Sequence, residues 1–349
     1  VAERATFYTI ANARYFPGVV ALVNSLRLNG HAEEVVVLDE GLTHEQRKRL
    51  AQHATVIELP RERLSHPALL KPYPAELSPS GVVVLIDSDM IVTQPLTGPL
   101  ADAAEGRIAV YSDHESSASR WFAEWEQEFA LTAPPRRQRY VNAGFVAFSQ
   151  ERWPDFLARW RRACELVPLE RYGVMPRLLP RRTVLAGESL WAGDQDALNA
   201  ILMSEIPEEA ISLQPAHGQP DWLSEVEVVD AETLTCRYRG GETSILHFSL
   251  SPKPWERAGW RRVSRNAYLE LFPRVVLGDD VALRLAPEEL PSWLHDDIRA
   301  RATRSGLGAL WRGRDSAERI ARASAQRLPP PLREPMLRLR DRLAERSST

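Results

Sequence analysis

Along the first 150 residues, short apolar runs alternate with stretches of helical spacing. Residues 5–11, EEVVVLDE and TVIELP read as strands. FPGVVALVNSLRLNG places Val19, Leu22, Val23 and Leu26 on one helical face, with Gly30 as a stop. THEQRKRLAQH opens on Thr43, a residue suited to cap a helix. The run Val82–Ile86 in GVVVLIDSDMIV is continuous rather than alternating, which predicts a central strand of a parallel sheet covered on both faces. Further on, RIAVYS and YVNAGFVAFS read as strands, the latter around an Asn-Ala-Gly break. SSASRWFAEWEQEFAL, WPDFLARWRRACEL and GDQDALNAILMS read as helices. Strands alternating with helices predict an α/β architecture with a mainly parallel central sheet.

The pattern changes downstream. Residues 205–255 are irregular and strand-rich, and beyond 280 the chain turns to Pro- and Arg-rich helical pieces, interrupted by LPPPLREP at 328–335. No internal repeat is visible. Residues 1–255 are therefore expected to form one α/β unit large enough for a catalytic domain, and 256–349 a helical, Arg- and Pro-rich C-terminal extension.

Composition adds two facts to this picture. The formal net charge of −3 over 349 residues is uneven, because segment 299–349 carries 13 Arg against 5 acidic residues, a balance of +8. Such a tail suits nucleic acid, an anionic membrane or another protein, and a solvated helical face suits it equally. Lysine occurs only at 48, 71 and 253, arginine supplying every other basic side chain. Lys48 in EQRKRL reads as an exposed helix residue, which leaves Lys71 and Lys253 as positions of interest. The two cysteines, Cys164 and Cys236, offer neither metal spacing nor a disulfide framework, so a reducing, cytoplasmic setting is expected. No stretch reads as a secretory leader or reaches the length of a membrane span.

The chemistry-bearing residues cluster where strands end. Asp87 and Asp89, separated by Ser88, follow the apolar run Val82–Ile86, and ligands of open α/β sheets bind beyond the carboxyl ends of strands. Two carboxylates placed there repel unless a cation sits between them, and oxygen ligands suit Mg²⁺ or Mn²⁺ beside a diphosphate. Surface aspartates at a turn explain an isolated pair equally well. His247, after the apolar start of SILHFSLSPKPW, supplies a nitrogen ligand that shifts the preference towards Mn²⁺, or else is a structural histidine. Lys253, six residues later, offers a mobile point charge for phosphate oxygens. GDQDALN brings Asp194, Gln195 and Asp196 to a helix start, where Gly193 or Asp194 serves as the cap. Asn142 and Gly144 in VNAGF offer an amide and a close backbone approach, suited to sugar hydroxyls or to a simple turn. Asn12 and Tyr15 follow the first strand, where a base can stack and hydrogen-bond.

Taken together, TIANARY, Lys71 placed 16 residues before Asp87, LIDSDMIV, VNAGFVAFS, GDQDALN and HFSLSPKPW resemble the retaining glycosyltransferases of family 8, over about residues 5–255. That family includes glycogenin and bacterial lipopolysaccharide galactosyl- and glucosyltransferases. The resemblance implies a GT-A fold, with a Rossmann-like, mainly parallel sheet flanked by helices, and a nucleotide-diphosphate sugar donor, usually a UDP-sugar. It implies Mn²⁺, with Mg²⁺ as the alternative, held by Asp87, Asp89 and His247. It assigns Ala11, Asn12 and Tyr15 to the base, and Lys71 and Lys253 to the donor phosphates and sugar. Asn142, Asp194 and Gln195 match positions that surround the transferred sugar, Ser88, Ala143 and Gly144 join the implied donor-binding set, and Gln195, Asp194 and Lys253 are the implied catalytic positions. One departure stands out: Leu250 occupies the position where family members commonly have glycine, which bears on the diphosphate loop.

The implied activity is transfer of a hexose, with retention at the anomeric carbon, to a hydroxyl of a glycan, a lipid-linked sugar or a natural product. Two other readings are a sugar-nucleotide-binding scaffold impaired by Leu250, and a nucleotidyltransferase. The absence of a glycine-rich phosphate-cradling segment near the first strand argues against the second. The expected partners exclude nucleic acid and include further copies of the chain. The basic tail adds salt-sensitive peripheral contact with an anionic membrane at the inner face, as in an Arg- and Ala-rich bacterial protein.

Overall fold

The computed structural model describes residues 4–60, 66–115, 117–168, 188–249, 252–256 and 266–295. Leu250 and the basic segment 299–349 lie outside the described residues, so the expectations placed on them are not addressed by it.

Among the described residues, eight strands occupy the first two-thirds of the chain: β1 (Ala5–Ala11), β2 (Glu34–Asp39), β3 (Thr55–Glu58), β4 (Val82–Ile86), β5 (Met90–Val92), β6 (Ile108–Ser112), β7 (Val141–Ser149) and β8 (Ile211–Gln214). All but β5 form one sheet in the order β3-β2-β1-β4-β7-β6-β8. Its neighbours pair in parallel except at β7, which runs against both β4 and β6. That reversal positions the site. It sets the start of β7, with Asn142, Ala143 and Gly144, beside the carboxyl ends of β4 and β6. The β6–β7 register jumps from Val110↔Val146 to Tyr111↔Asn142, a bulge that lifts Ala143 and Gly144 out of the ladder with β6.

The continuity of the β4 run follows from burial on both faces. Val83 and Leu85 join one core with Val146, Phe148 and Trp160, while Val82, Val84 and Ile86 join another with Phe7 and Phe145. The first core is closed by α5 (Phe156–Glu165) and by α6 (Asp194–Ser204), numbered after α1 (Phe16–Leu28), α2 (His44–Leu50), α3 (Thr97–Ala104) and α4 (Trp125–Glu128). The second is closed by α1, whose Val19, Leu22, Val23 and Leu26 are buried as the spacing predicts. Thr43 caps α2 through a reciprocal pair with Gln46, whose N–H donates to Thr43 Oγ1 over 3.2 Å.

Past residue 265 the chain returns to the same core. α7 (Ala267–Leu277) packs on α1, and Asn24 of α1 donates to Val275 O and Leu283 O at 2.7 and 2.6 Å. In the short α8 (Ser292–His295), Trp293 is buried and donates from Nε1 to Pro254 O. The strand-rich region supplies a small sheet of β9 (Glu227–Asp230), β10 (Thr235–Tyr238) and β11 (Gly241–Glu242). It also supplies β12 (Ile245–His247), which pairs antiparallel with β5 and sets His247 opposite Met90. Among the described residues, no helix is long and apolar enough to cross a membrane.

One expected helix is largely absent. Of SSASRWFAEWEQEFAL only Trp125–Glu128 is α-helical, and the residues before it form turns. Tertiary bonds override local propensity there. Arg120 turns inward to Asp196, Ser117 bonds back to Asp113, and Trp121 and Trp125 donate to the carbonyls of Pro135 and Ser189. No continuous helix presents all four in those directions.

Candidate functional site

The turn after β4 and the end of β12 bring Asp87, Asp89 and His247 together. Each aspartate gives one oxygen to a lysine and turns the other towards the imidazole. Lys71 Nζ is 2.8 Å from Asp87 Oδ1, and Lys253 Nζ is 2.5 Å from Asp89 Oδ2. His247 Nε2 lies 3.6 Å from Asp87 Oδ2 and 3.3 Å from Asp89 Oδ1. Ligand atoms from the three side chains fall within 4.8 Å of one another. Two carboxylates and an imidazole converging in this way form a donor set that fits a divalent metal ion.

Two of the three lysines in the chain are spent here, and both are buried, Lys71 to 8% and Lys253 to 4% exposure. Lys71 uses three donors, reaching Asp87, Asp194 Oδ2 at 3.0 Å and the Ala143 carbonyl at 3.0 Å. Burial alone would lower its pKa, but Asp194 and Asp87 outweigh it and hold the ammonium above its ordinary value. Burial works to raise the Asp89 carboxyl, yet Lys253 and His247 together hold it well below the usual carboxylate range. Asp194 differs. Burial pushes its carboxyl up, and Lys71 offsets only part of that. Three carboxylates stand against two ammonium groups, an excess of one negative charge among the aspartates and lysines of the cluster.

Small residues make the convergence possible. A Cβ at Gly144 would stand 2.5 Å from Met90 Cε, 2.8 Å from Asn142 Oδ1 and 2.8 Å from His247 Cε1, so only glycine lets the histidine lie over β7. Its carbonyl accepts from Asp87 N–H at 2.8 Å, and its N–H donates to Asn142 Oδ1. Gly18 plays the same part on α1. A Cβ there would meet Ser88 O at 2.4 Å and the Trp255 ring at 2.5 Å, so the helix lies flush against both the Asp-Ser-Asp turn and the Pro-Trp pair.

The remaining predicted positions sit around this centre with separate partners. Gln195 Oε1 accepts from the Ala143 N–H at 3.0 Å, fixing the bulge of β7 to the start of α6. Asn142 Nδ2 donates to Asp113 Oδ1 at 3.0 Å, away from both lysines. At the end of β1, Ala11 O accepts from Glu40 N–H, while Asn12 donates to Glu40 and accepts from the Arg14 and Tyr15 N–H groups. The Tyr15 ring meets Trp255 edge-on at 6.0 Å, and Lys253 Nζ lies 5.7 Å from its centre. Burial raises the Tyr15 hydroxyl pKa. Gly193 (φ +53) occupies the cap of α6 without a side-chain bond, freeing Asp194 for Lys71.

Three contributors escaped the sequence reading: Gly18, Asp113 behind Asn142, and Gln219, whose amide lies 3.4 Å from His247 Nδ1. Gly18 had a signal, since a glycine inside an apolar helix pattern marks a close approach. The other two sit in segments without periodicity.

No protein-family model matches the sequence, and no curated protein does. Solved structures match the fold. The apo structure of WbbM, a bifunctional glycosyltransferase, covers 81% of this chain at 14% identity and a TM-score of 0.51. This chain spans 50% of the length of that one. An active-site mutant of LgtC covers 81% of this chain and 98% of its own, at 18% identity and a TM-score of 0.50. The fold of this chain, a mostly parallel seven-stranded sheet flanked by helices, is the GT-A architecture it shares with those glycosyltransferases.

Proposed function

We propose that this protein is a retaining glycosyltransferase that moves a hexose from a UDP-sugar, or another nucleotide-diphosphate sugar, to an acceptor hydroxyl with the help of Mn²⁺. The observation that carries this reading is the convergence of Asp87, Asp89 and His247 beyond the carboxyl end of β4, flanked by two buried lysines. A buried excess of carboxylate with an imidazole suits a divalent cation, and the lysines beside it suit a diphosphate.

Bound between Asp87, Asp89 and His247, the cation would act as a Lewis acid towards the phosphate oxygens of the donor. Lys253 stabilises the negative charge that grows on the leaving diphosphate as the bond from the anomeric carbon to oxygen breaks. Lys71 holds Asp87 and Asp194 in place. Gln195, whose amide is a poor nucleophile, orients the Ala143 backbone beside the sugar, and Asp194 contributes electrostatics. The acceptor oxygen forms the new bond on the face the diphosphate leaves, and its proton passes to the departing phosphate oxygen. In this reading Asn12 and Tyr15, just past β1, receive the base.

Incubation of the full chain with a panel of UDP-sugars and Mn²⁺, followed by NMR of the first-formed glycoside, tests this. An α-linked product from an α-linked donor is expected. A β product overturns retention, and transfer of a nucleoside monophosphate instead of a sugar makes the protein a nucleotidyltransferase. Failure to release nucleoside diphosphate from any sugar nucleotide overturns the reading as a whole.

A further inference from the structure

Gln219 is a buried side chain, 7% exposed, in the irregular segment between β8 and β9. Its position is set by the backbone. The carbonyl of Gly218 accepts from both Ser244 N–H and Ile245 N–H, at 2.9 and 2.8 Å, and so fastens the segment to the first residue of β12. Gly218 is itself required there, because a Cβ would stand 2.6 Å from the ring of Tyr111. The result is that the Gln219 amide faces the back of His247, two residues further along β12, with Nε2 3.4 Å from Nδ1. The other amide atom, Oε1, is buried with no hydrogen-bond partner among the described residues.

Two arrangements compete for this contact. With Nε2 against the ring, the amide donates to Nδ1, and the imidazole proton sits on Nε2, the atom that faces Asp87 and Asp89. A protonated Nε2 has no lone pair for a cation. Turning the amide by half a rotation puts Oε1 against Nδ1. The ring proton then resides on Nδ1, the buried oxygen gains a donor, and the Nε2 lone pair points at the two carboxylates. Only this second arrangement partners the oxygen, and a buried unpartnered carbonyl costs about 1–3 kcal/mol. Ring nitrogens of metal-binding histidines are fixed in this way by an acceptor on the far side.

We infer that Gln219 is the positioning residue of His247, its Oε1 accepting the Nδ1–H and thereby presenting Nε2 as a ligand. This rests on the metal-site reading of Asp87, Asp89 and His247. It makes a specific demand on chemistry: position 219 must be a hydrogen-bond acceptor, whether amide or carboxylate, and shape alone does not suffice.

The test uses the full chain, Gln219→Met, which keeps length and removes the acceptor, Gln219→Glu, which keeps it, and His247→Ala. Long-range ¹H–¹⁵N spectra report the tautomer of His247, and titration with Mn²⁺ alone reports affinity. The wild type is expected to carry the proton on Nδ1. Gln219→Met should lose that preference and bind Mn²⁺ about 10–100-fold more weakly, while Gln219→Glu should stay close to wild type. A proton on Nε2 in the wild type overturns the inference, as does unchanged Mn²⁺ affinity in Gln219→Met when His247→Ala is weakened. A wild type that shows the Nδ1 tautomer but binds no Mn²⁺ overturns the metal reading instead and leaves Gln219 as a tautomer-setting residue only. Should Gln219→Met fail to fold, Gln219→Glu beside Gln219→Lys, a donor of similar length, makes the same comparison of acceptor against donor.

Discussion

Asp194 and Asp196 are separated by one residue on the first turn of α6, and they live in opposite worlds. Asp196 is fully buried and fully partnered: Arg120 grips it with two bonds of 2.6 and 2.8 Å, Tyr140 Oη donates at 2.7 Å and the Ala192 N–H at 2.7 Å. Burial nevertheless pushes its carboxyl up, against the pull of those partners. Asp194 shares one lysine with Asp87, in a cluster that carries a negative charge in excess. The sealed region has its counter-charge built in, whereas the open one, buried as well but open in charge, carries an excess of carboxylate that a cation would balance. One acidic motif thus supplies both a structural carboxylate and a site carboxylate, distinguished only by which side chains the fold brings to each.

The largest effect that tests this contrast is on stability. Asp196→Ala removes the carboxylate that Arg120 grips with two bonds and the acceptor of the Tyr140 hydroxyl, and should cost about 3–5 kcal/mol in urea unfolding. Asp89→Asn, in the open cluster, keeps an oxygen for Lys253 and removes the excess charge, so its cost should be less than half as large. Its effect belongs to activity instead, with sugar transfer falling about 10²–10³-fold. Equal destabilisation by the two substitutions breaks the comparison, and so does full transfer activity in Asp89→Asn.

The sequence made much of the open region legible and little of the sealed one. Asp87, Asp89, Lys71, Lys253 and His247 became legible through their order and spacing taken together, since a surface turn explains an isolated aspartate pair and a structural role an isolated histidine equally well. The continuous β4 run announced a strand covered on both faces because burial on both sides permits no polar alternation. The sealed network left no such mark. Arg120 lies in a stretch that reads as helix, and its pairing with Asp196 spans 76 residues, a distance no periodicity encodes. The reversal of β7 was equally silent, since side chains alternate identically in either strand direction.

A smaller effect sharpens what completes the open cluster. Gly144→Ala adds a single methyl against His247, Met90 and Asn142, all closer than 3 Å to it. The crowding should cost about 1–3 kcal/mol in unfolding. Because the methyl meets His247 at Cε1, between its two nitrogens, Mn²⁺ affinity should also fall, by about tenfold. Ala147→Gly, on the same strand but buried in the second core, serves as the control that changes stability and not affinity. Loss of stability without loss of affinity in Gly144→Ala would mean that the histidine is not held against β7 when the cation binds.

The smallest effect is read through the two free thiols, both buried. Burial lifts the Cys236 pKa to about 12, and burial together with Asp194 lifts Cys164 well above its ordinary value. Below a thiol's pKa the thiolate fraction falls tenfold per pH unit, so at pH 8 only about 1 in 10⁴ of Cys236 is reactive even where a reagent reaches it. Neither thiol should react with a disulfide reagent over minutes in the folded wild type. Cys164 sits on α5, which packs against α6, so it reports on whether that interface stays closed. Asp196→Ala should open the interface and speed Cys164 labelling several-fold, while Asp89→Asn leaves it unchanged. Because ionisation favours the thiolate as pH rises, the wild-type rate should climb from pH 7 to 9 if attack on the folded form limits it. A rate independent of pH, in wild type and Asp196→Ala alike, would mean that opening limits labelling. Equal labelling of Cys164 in the two variants would show that Asp196 does not seal α6 more firmly than the open cluster does.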